Sequence, residues 1–81
     1  MYVYYYTFRS MTAAMTAAGK LKNRGINLRP IRSPEPLRKR GCGFCIRIPE
    51  AQFSPSVQES LRGLYEKRYG YGNGEWREFS L

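Results

Sequence analysis

The sequence predicts an α+β fold with elements in the order β-α-β-β-α and an optional last strand, and three observations predict it. Val3 to Phe8 is an unbroken β-branched and aromatic run; Ser10 and Ser54-Pro55 each open a stretch with apolar residues at helical spacing; Phe44, Ile46 and Ile48 alternate behind a Pro- and Gly-rich loop.

Taken in order, Val3-Tyr4-Tyr5-Tyr6-Thr7-Phe8 lacks breakers and reads as the first strand, with Tyr2, Tyr4, Tyr6 and Phe8 on one face. Ser10 is a natural N-cap, and Met11, Ala14, Met15, Ala18 and Leu21 recur at helical spacing until Asn23-Arg24-Gly25 supplies the stop. Ile26, Leu28 and Ile31 mark a second strand, and Pro30 assigns it to an edge or an early end. Residues 33–43 read as a loop opened by proline, closed by glycine and carrying Arg38-Lys39-Arg40 in succession. Phe44 to Ile48 is the third strand, with Cys45 and Arg47 on the face opposite Phe44, Ile46 and Ile48, and Pro49 ends it. Ser54-Pro55, overlapped by a capping box at Ser56-x-x-Glu59, starts a second helix lined by Val57, Leu61, Leu64 and Tyr65 and ending near Tyr69-Gly70.

A right-handed crossover followed by a hairpin makes this a ferredoxin-like sandwich, with helices on one face of an antiparallel sheet. Residues 1–69 are read as one such domain and 70–81 as a Gly-rich tail with a short candidate strand at 76–79. In that arrangement the first and third strands are central, adjacent and antiparallel. Cys42-Gly43 is then expected to approach Arg9, Ser10 and the start of the first helix.

At 81 residues the chain has room for one small core and none for a large enclosed active site. Its 14 basic and 6 acidic residues give a net charge of +8, and histidine is absent. Without imidazole there is no Ser-His or Cys-His couple, and two cysteines alone cannot close a four-ligand zinc site, so no metal or cofactor is expected. The charge is uneven. Residues 1–47 hold ten basic residues against Glu35 alone, net +9, whereas residues 48–81 hold four basic and five acidic, net −1. Such a half attracts nucleic acid, anionic lipid or an acidic protein, or serves as a solvated surface. Met11 to Ala18 is far shorter than the ~20 residues that cross a bilayer, and Tyr2 to Phe8 is no secretory leader, so a cytoplasmic setting is expected.

Cys42 stands between Gly41 and Gly43 at the mouth of a strand. The glycines uncover the sulfur, and Arg9, Ser10, Arg38, Arg40 and Arg47 are the expected anion-stabilising neighbours, which favours the thiolate. The competing reading is a glycine turn with a small buried filler. Cys45 completes a C-x-x-C as a secondary thiol, but three residues along a strand span roughly 10 Å and opposite faces, beyond disulfide reach without a bend.

The order Phe8-Arg9-Ser10, Ala13-Ala14, Gly25-Ile26, Pro34-Glu35-Pro36-Leu37-Arg38 and Gly41-Cys42-Gly43 leading to Arg47 resembles the selenium/sulfur carrier-like proteins, small bacterial domains, over about residues 2 to 68. The resemblance implies that Cys42 holds persulfide or perselenide and that donor and acceptor proteins are its partners. Cys45 and the Gly-rich tail fall outside that pattern.

Two further readings stand beside the carrier. One is a module that binds single-stranded RNA, with Lys39, Arg29 and Arg32 on phosphates and Tyr4 and Tyr6 stacking on bases, unless those tyrosines pack under the helices. The other is a noncatalytic adaptor docking on an acidic enzyme. All three describe a carrier or binding protein more than a stand-alone enzyme, and the open-edged sheet leaves a homodimer open.

Overall fold

The elements, over residues 2–41 and 43–79 described by the computed structural model, are β1 (Val3–Phe8), α1 (Met11–Lys22), β2 (Pro30–Arg32), α2 (Glu35–Arg38), β3 (Phe44–Pro49), a 3-10 turn (Glu50–Gln52), α3 (Pro55–Leu61), β4 (Lys67–Gly72) and β5 (Glu75–Phe79). The five strands form one antiparallel sheet in the order β2-β3-β1-β4-β5. β1 is therefore central, between β3 and β4.

Period-2 alternation along β1 feeds two apolar layers. Tyr6 and Phe8, with Ile46 and Ile48 of β3, bury against Ala14, Ala17 and Leu21 of α1 and Val57 and Leu61 of α3. On the other face Tyr5, Cys45 and Tyr69 bury with Leu37 of α2, flanked by Val3 and Trp76. The short α2 thus covers the face that the longer helices leave.

Ser10 caps α1 as expected, its Oγ accepting the Ala13 N–H at 3.1 Å. Gly25, at φ 80°, closes the helix while its N–H reaches the Lys22 carbonyl and the Ile26 N–H reaches that of Leu21. The buried stripe differs from the expected one: it runs through Ala14, Ala17 and Leu21, with Met11 and Met15 exposed. Positions 14, 17, 18 and 21 hold one face at helical spacing, and their small alanines let α1 sit close on a sheet already filled by Tyr6, Phe8 and Ile46.

Residues 33–43 are more ordered than a loop. Pro34 and Pro36 suit the first turn of α2, and Leu37 is its buried anchor. Ser54 rather than Ser56 caps α3, accepting the Val57 N–H at 3.3 Å. The helix ends at Leu61, not near Tyr69-Gly70, because Gly63 turns at φ 77°, and Leu64 and Tyr65 reach the core from beyond it.

From there the chain becomes a strand. The Glu66 N–H bonds to the Thr7 carbonyl at 2.7 Å, and Thr7 Oγ1 exchanges bonds with the Lys67 backbone, so β4 is docked on β1 from its first residue. Asn73 and Gly74, at φ 52° and 76°, form the two-residue turn to β5. Gly70 and Gly72 are required in β4, since the Tyr2 ring lies where a side chain at either position would stand.

Candidate functional site

The junction of α2 and β3 is built by three short-range devices. Arg40 and Gly41 return their N–H groups to Leu37 and Arg38 carbonyls at 3.0 Å, and Gly41 adopts φ 89°, a conformation that selects glycine. The Ser33 N–H bonds to the Gly43 carbonyl at 3.1 Å, extending the β2–β3 ladder, and the Arg38 guanidinium donates to the Ser33 carbonyl at 2.7 Å. The result is a hollow of about 490 Å³ lined by Arg32, Arg38, Gly41, Gly43 and Phe44. Cys42 itself lies outside the described residues, and the two glycines that flank it line this hollow.

The sheet register pairs Phe8 with Phe44, so the entry to β3 lies beside the end of β1, where the strand order was expected to put it. The basic residues expected there divide. Arg38 lines the hollow, but Arg9 pairs with Glu66 at 3.3 Å and lines a different depression with Ala13, Gly63 and Leu64. The Ser10 hydroxyl is committed to its helix cap. Arg40 reaches across the sheet to Glu78 at 3.6 Å and over the Tyr69 ring, and Arg47 is exposed on β3 at the position that pairs with Tyr5. Lys39 pairs with Glu35 at 3.3 Å, and Arg29 is exposed before β2.

Arg32, read in the sequence as a nucleic-acid contact, is the second cation of the hollow. The signal was present: a β2–β3 hairpin sets the last residue of one strand against the first of the next, here Arg32 against Phe44. Cys45 is fully buried among Tyr5, Leu37 and Tyr69, on the face away from Ile46 as the alternation required.

The tyrosines do not form an open base-stacking platform. Tyr6 is fully buried with its ring edge-on to Tyr65 at 4.7 Å, and Tyr4 is half-buried and stacked on Phe53 at 4.3 Å. Burial pushes the Tyr6 phenol above its usual range, with Arg68 acting in the opposite direction. This corrects the RNA-contact role for Tyr6, which has no surface to offer a base.

Among the described residues no group of three or more His, Cys, Asp or Glu side chains is arranged to hold a metal ion, and no helix is long and apolar enough to cross a membrane. No curated protein and no solved structure matches the chain. A family model described as "Putative Se/S carrier protein-like" matches residues 3–62, a span running from β1 through α3 and including Cys42, and the chain belongs to that family.

Proposed function

We propose that the protein is a sulfur or selenium carrier that uses Cys42 as its carrier thiol. Membership of the carrier-like family over residues 3–62 carries this reading. The hollow supports it, because Gly41, Gly43, Arg32 and Arg38 give an open, cationic setting to the segment that contains the cysteine. Our reading of the fold as ferredoxin-like is supported by the order β4-β1-β3-β2 within the sheet, with β5 added beyond β4.

In the proposed reaction the Cys42 thiolate attacks the terminal sulfur of a donor persulfide. The new S–S bond forms as the donor's S–S bond breaks, and the electron pair leaves on the donor thiolate, so no oxidant, reductant or bound cofactor enters. A second exchange hands the sulfur to an acceptor thiol, and selenium follows the same route as perselenide. Donor and acceptor proteins are the partners, and the cytoplasm, where thiols stay reduced, is the proposed setting.

The test loads the full chain with isotope-labelled sulfane sulfur or selenium from a donor persulfide or perselenide and follows the label by intact mass spectrometry. Label is expected on wild type and on Cys45→Ser, and absent from Cys42→Ser. Undiminished carriage by Cys42→Ser ends the proposal.

A further inference from the structure

We propose that the hollow at the entry to β3 is a binding site for a small tetrahedral oxyanion of the thiosulfate or phosphate class, held by Arg32 and Arg38. This deepens the carrier reading and rests on it only for the link to the transferred atom; anion binding itself does not require the thiol.

Of the basic residues in and beside the α2 loop, Lys39 and Arg40 face Glu35 and Glu78. Arg32 and Arg38 have no carboxylate within ion-pair distance among the described residues, and both line the hollow. Arg38 is positioned by its bond to the Ser33 carbonyl, which orders the guanidinium and leaves further N–H donors for a ligand. Two guanidinium groups without a protein counter-ion match an anion that offers several oxygens to bidentate donors.

Two more marks lie at the hollow and beside it. Gly41 is explained by its positive φ, but Gly43 has no such φ, and a side chain there would meet nothing within 4 Å. Neither backbone geometry nor packing asks for glycine at 43, whereas a ligand seated against the backbone does. Beside it, Ser33 is fully buried and its Oγ has no hydrogen-bond partner among the described residues. Ser33 does not line the hollow, but it is tied to two residues that do, its N–H to the Gly43 carbonyl and its carbonyl to the Arg38 guanidinium, so an anion seated there changes the surroundings of this buried residue.

The experiment is a titration of the ¹⁵N-labelled full chain with sodium thiosulfate and, separately, sodium phosphate, against sodium chloride at matched ionic strength. Saturable amide shifts are expected at Arg32, Ser33, Gly41 and Gly43 with one or both oxyanions. The tighter anion identifies the source, thiosulfate a sulfur-bearing oxyanion and phosphate a phosphorylated compound. Arg32→Gln is expected to weaken binding about tenfold, one charge-assisted contact. Gly43→Ala, whose methyl meets no protein atom, is expected to weaken it comparably while leaving the fold intact. Exposed Arg29→Gln and the thiol variant Cys42→Ser are expected to bind as wild type. Shifts that chloride reproduces, or equal weakening by Arg29→Gln and Arg32→Gln, overturn the site. A wild-type chain that binds the oxyanion but takes up no labelled sulfur from a persulfide donor overturns the carrier reading and leaves the site standing.

Discussion

The Arg40 guanidinium lies 5.5 Å from the centre of the Tyr69 ring, which ties the end of the α2 segment to β4 on the face of the sheet that α1 and α3 do not cover. The same side chain meets Glu78 of β5 at 3.6 Å. Two segments far apart in sequence, the basic loop and the C-terminal hairpin, are thus joined over one sheet face. Leu37, fully buried three residues earlier, sits in the same cluster as Tyr69.

Which of these contacts holds the loop follows from their environments. Arg40 and Glu78 are each about half exposed, so the ion pair and the cation–π contact together contribute only about 1 kcal/mol. Leu37→Ala removes a buried side chain and costs about 2–5 kcal/mol. Thermal melts of the two variants should differ accordingly, since about 1 kcal/mol moves the midpoint by roughly 4–8 °C in a domain of this size. An Arg40→Ala variant less stable than Leu37→Ala would show that charge, not packing, fastens the loop.

The glycines of β4 and α1 predict opposite signs. In β4, Gly72→Ala drives a methyl into the base of the Tyr2 ring and is expected to destabilise by about 1–3 kcal/mol. The cost should shrink in a Tyr2→Ala background, since the two sites are coupled by that contact. In α1, Gly19 is exposed with open space around it, so Gly19→Ala should stabilise by about 0.5–1 kcal/mol. Chemical denaturation of the three variants and the double variant measures both signs.

The sheet's centre was legible because its signals are local: the aromatic run of β1, the Ser10 cap and the alternation of β3 each declare themselves within a few residues. The C-terminal hairpin was less so. Asn73-Gly74 is a strong two-residue turn signal, yet Gly70 and Gly72 made β4 look like a linker, and their reason is the distant Tyr2 ring. Leu37 looked like one apolar residue in a polar loop until the sheet supplied a face for it. At the candidate site, Arg38 was named from its nearness to Cys42 in sequence, while Arg32 needed the β2–β3 register. Arg9 was placed near Cys42 by strand adjacency and Arg40 by nearness in sequence, and neither tells where a long side chain goes: Arg9 turns to Glu66 and Arg40 to Glu78.

Tyr6 predicts a loss of stability in alkali. Its phenol titrates above the ordinary value of about 10 in the folded chain, because burial disfavours the phenolate, and at about 10 once unfolded. Between those limits the folded state binds more protons than the unfolded state, so stability falls as pH rises, and the contribution is fully present below pH 10. Tyr6→Phe should flatten this part of the alkaline limb in pH-dependent denaturation. At neutral pH the variant should be close to wild type in stability, because the phenol is uncharged there and the substitution keeps the buried ring. An unchanged alkaline limb in Tyr6→Phe would assign it to other groups.

The two cysteines should part company on alkylation. Cys45 is fully buried in one cluster with Leu37, Tyr5 and Tyr69, so iodoacetamide reaches it only when the sheet opens. The carrier proposal requires the opposite of Cys42: a reactive thiolate at neutral pH. Native protein should therefore take up one equivalent rapidly, mapped to Cys42 by peptide mass spectrometry, and a second only in denaturant. The rate plotted against pH should have a midpoint below the free-thiol value of about 8.5, and a combined Arg32→Gln, Arg38→Gln variant should move it upward, since each guanidinium removed withdraws support from the anion. A wild-type midpoint at the free-thiol value, unmoved by the arginine changes, would remove the electrostatic basis for a carrier thiol while leaving the buried position of Cys45 as it is.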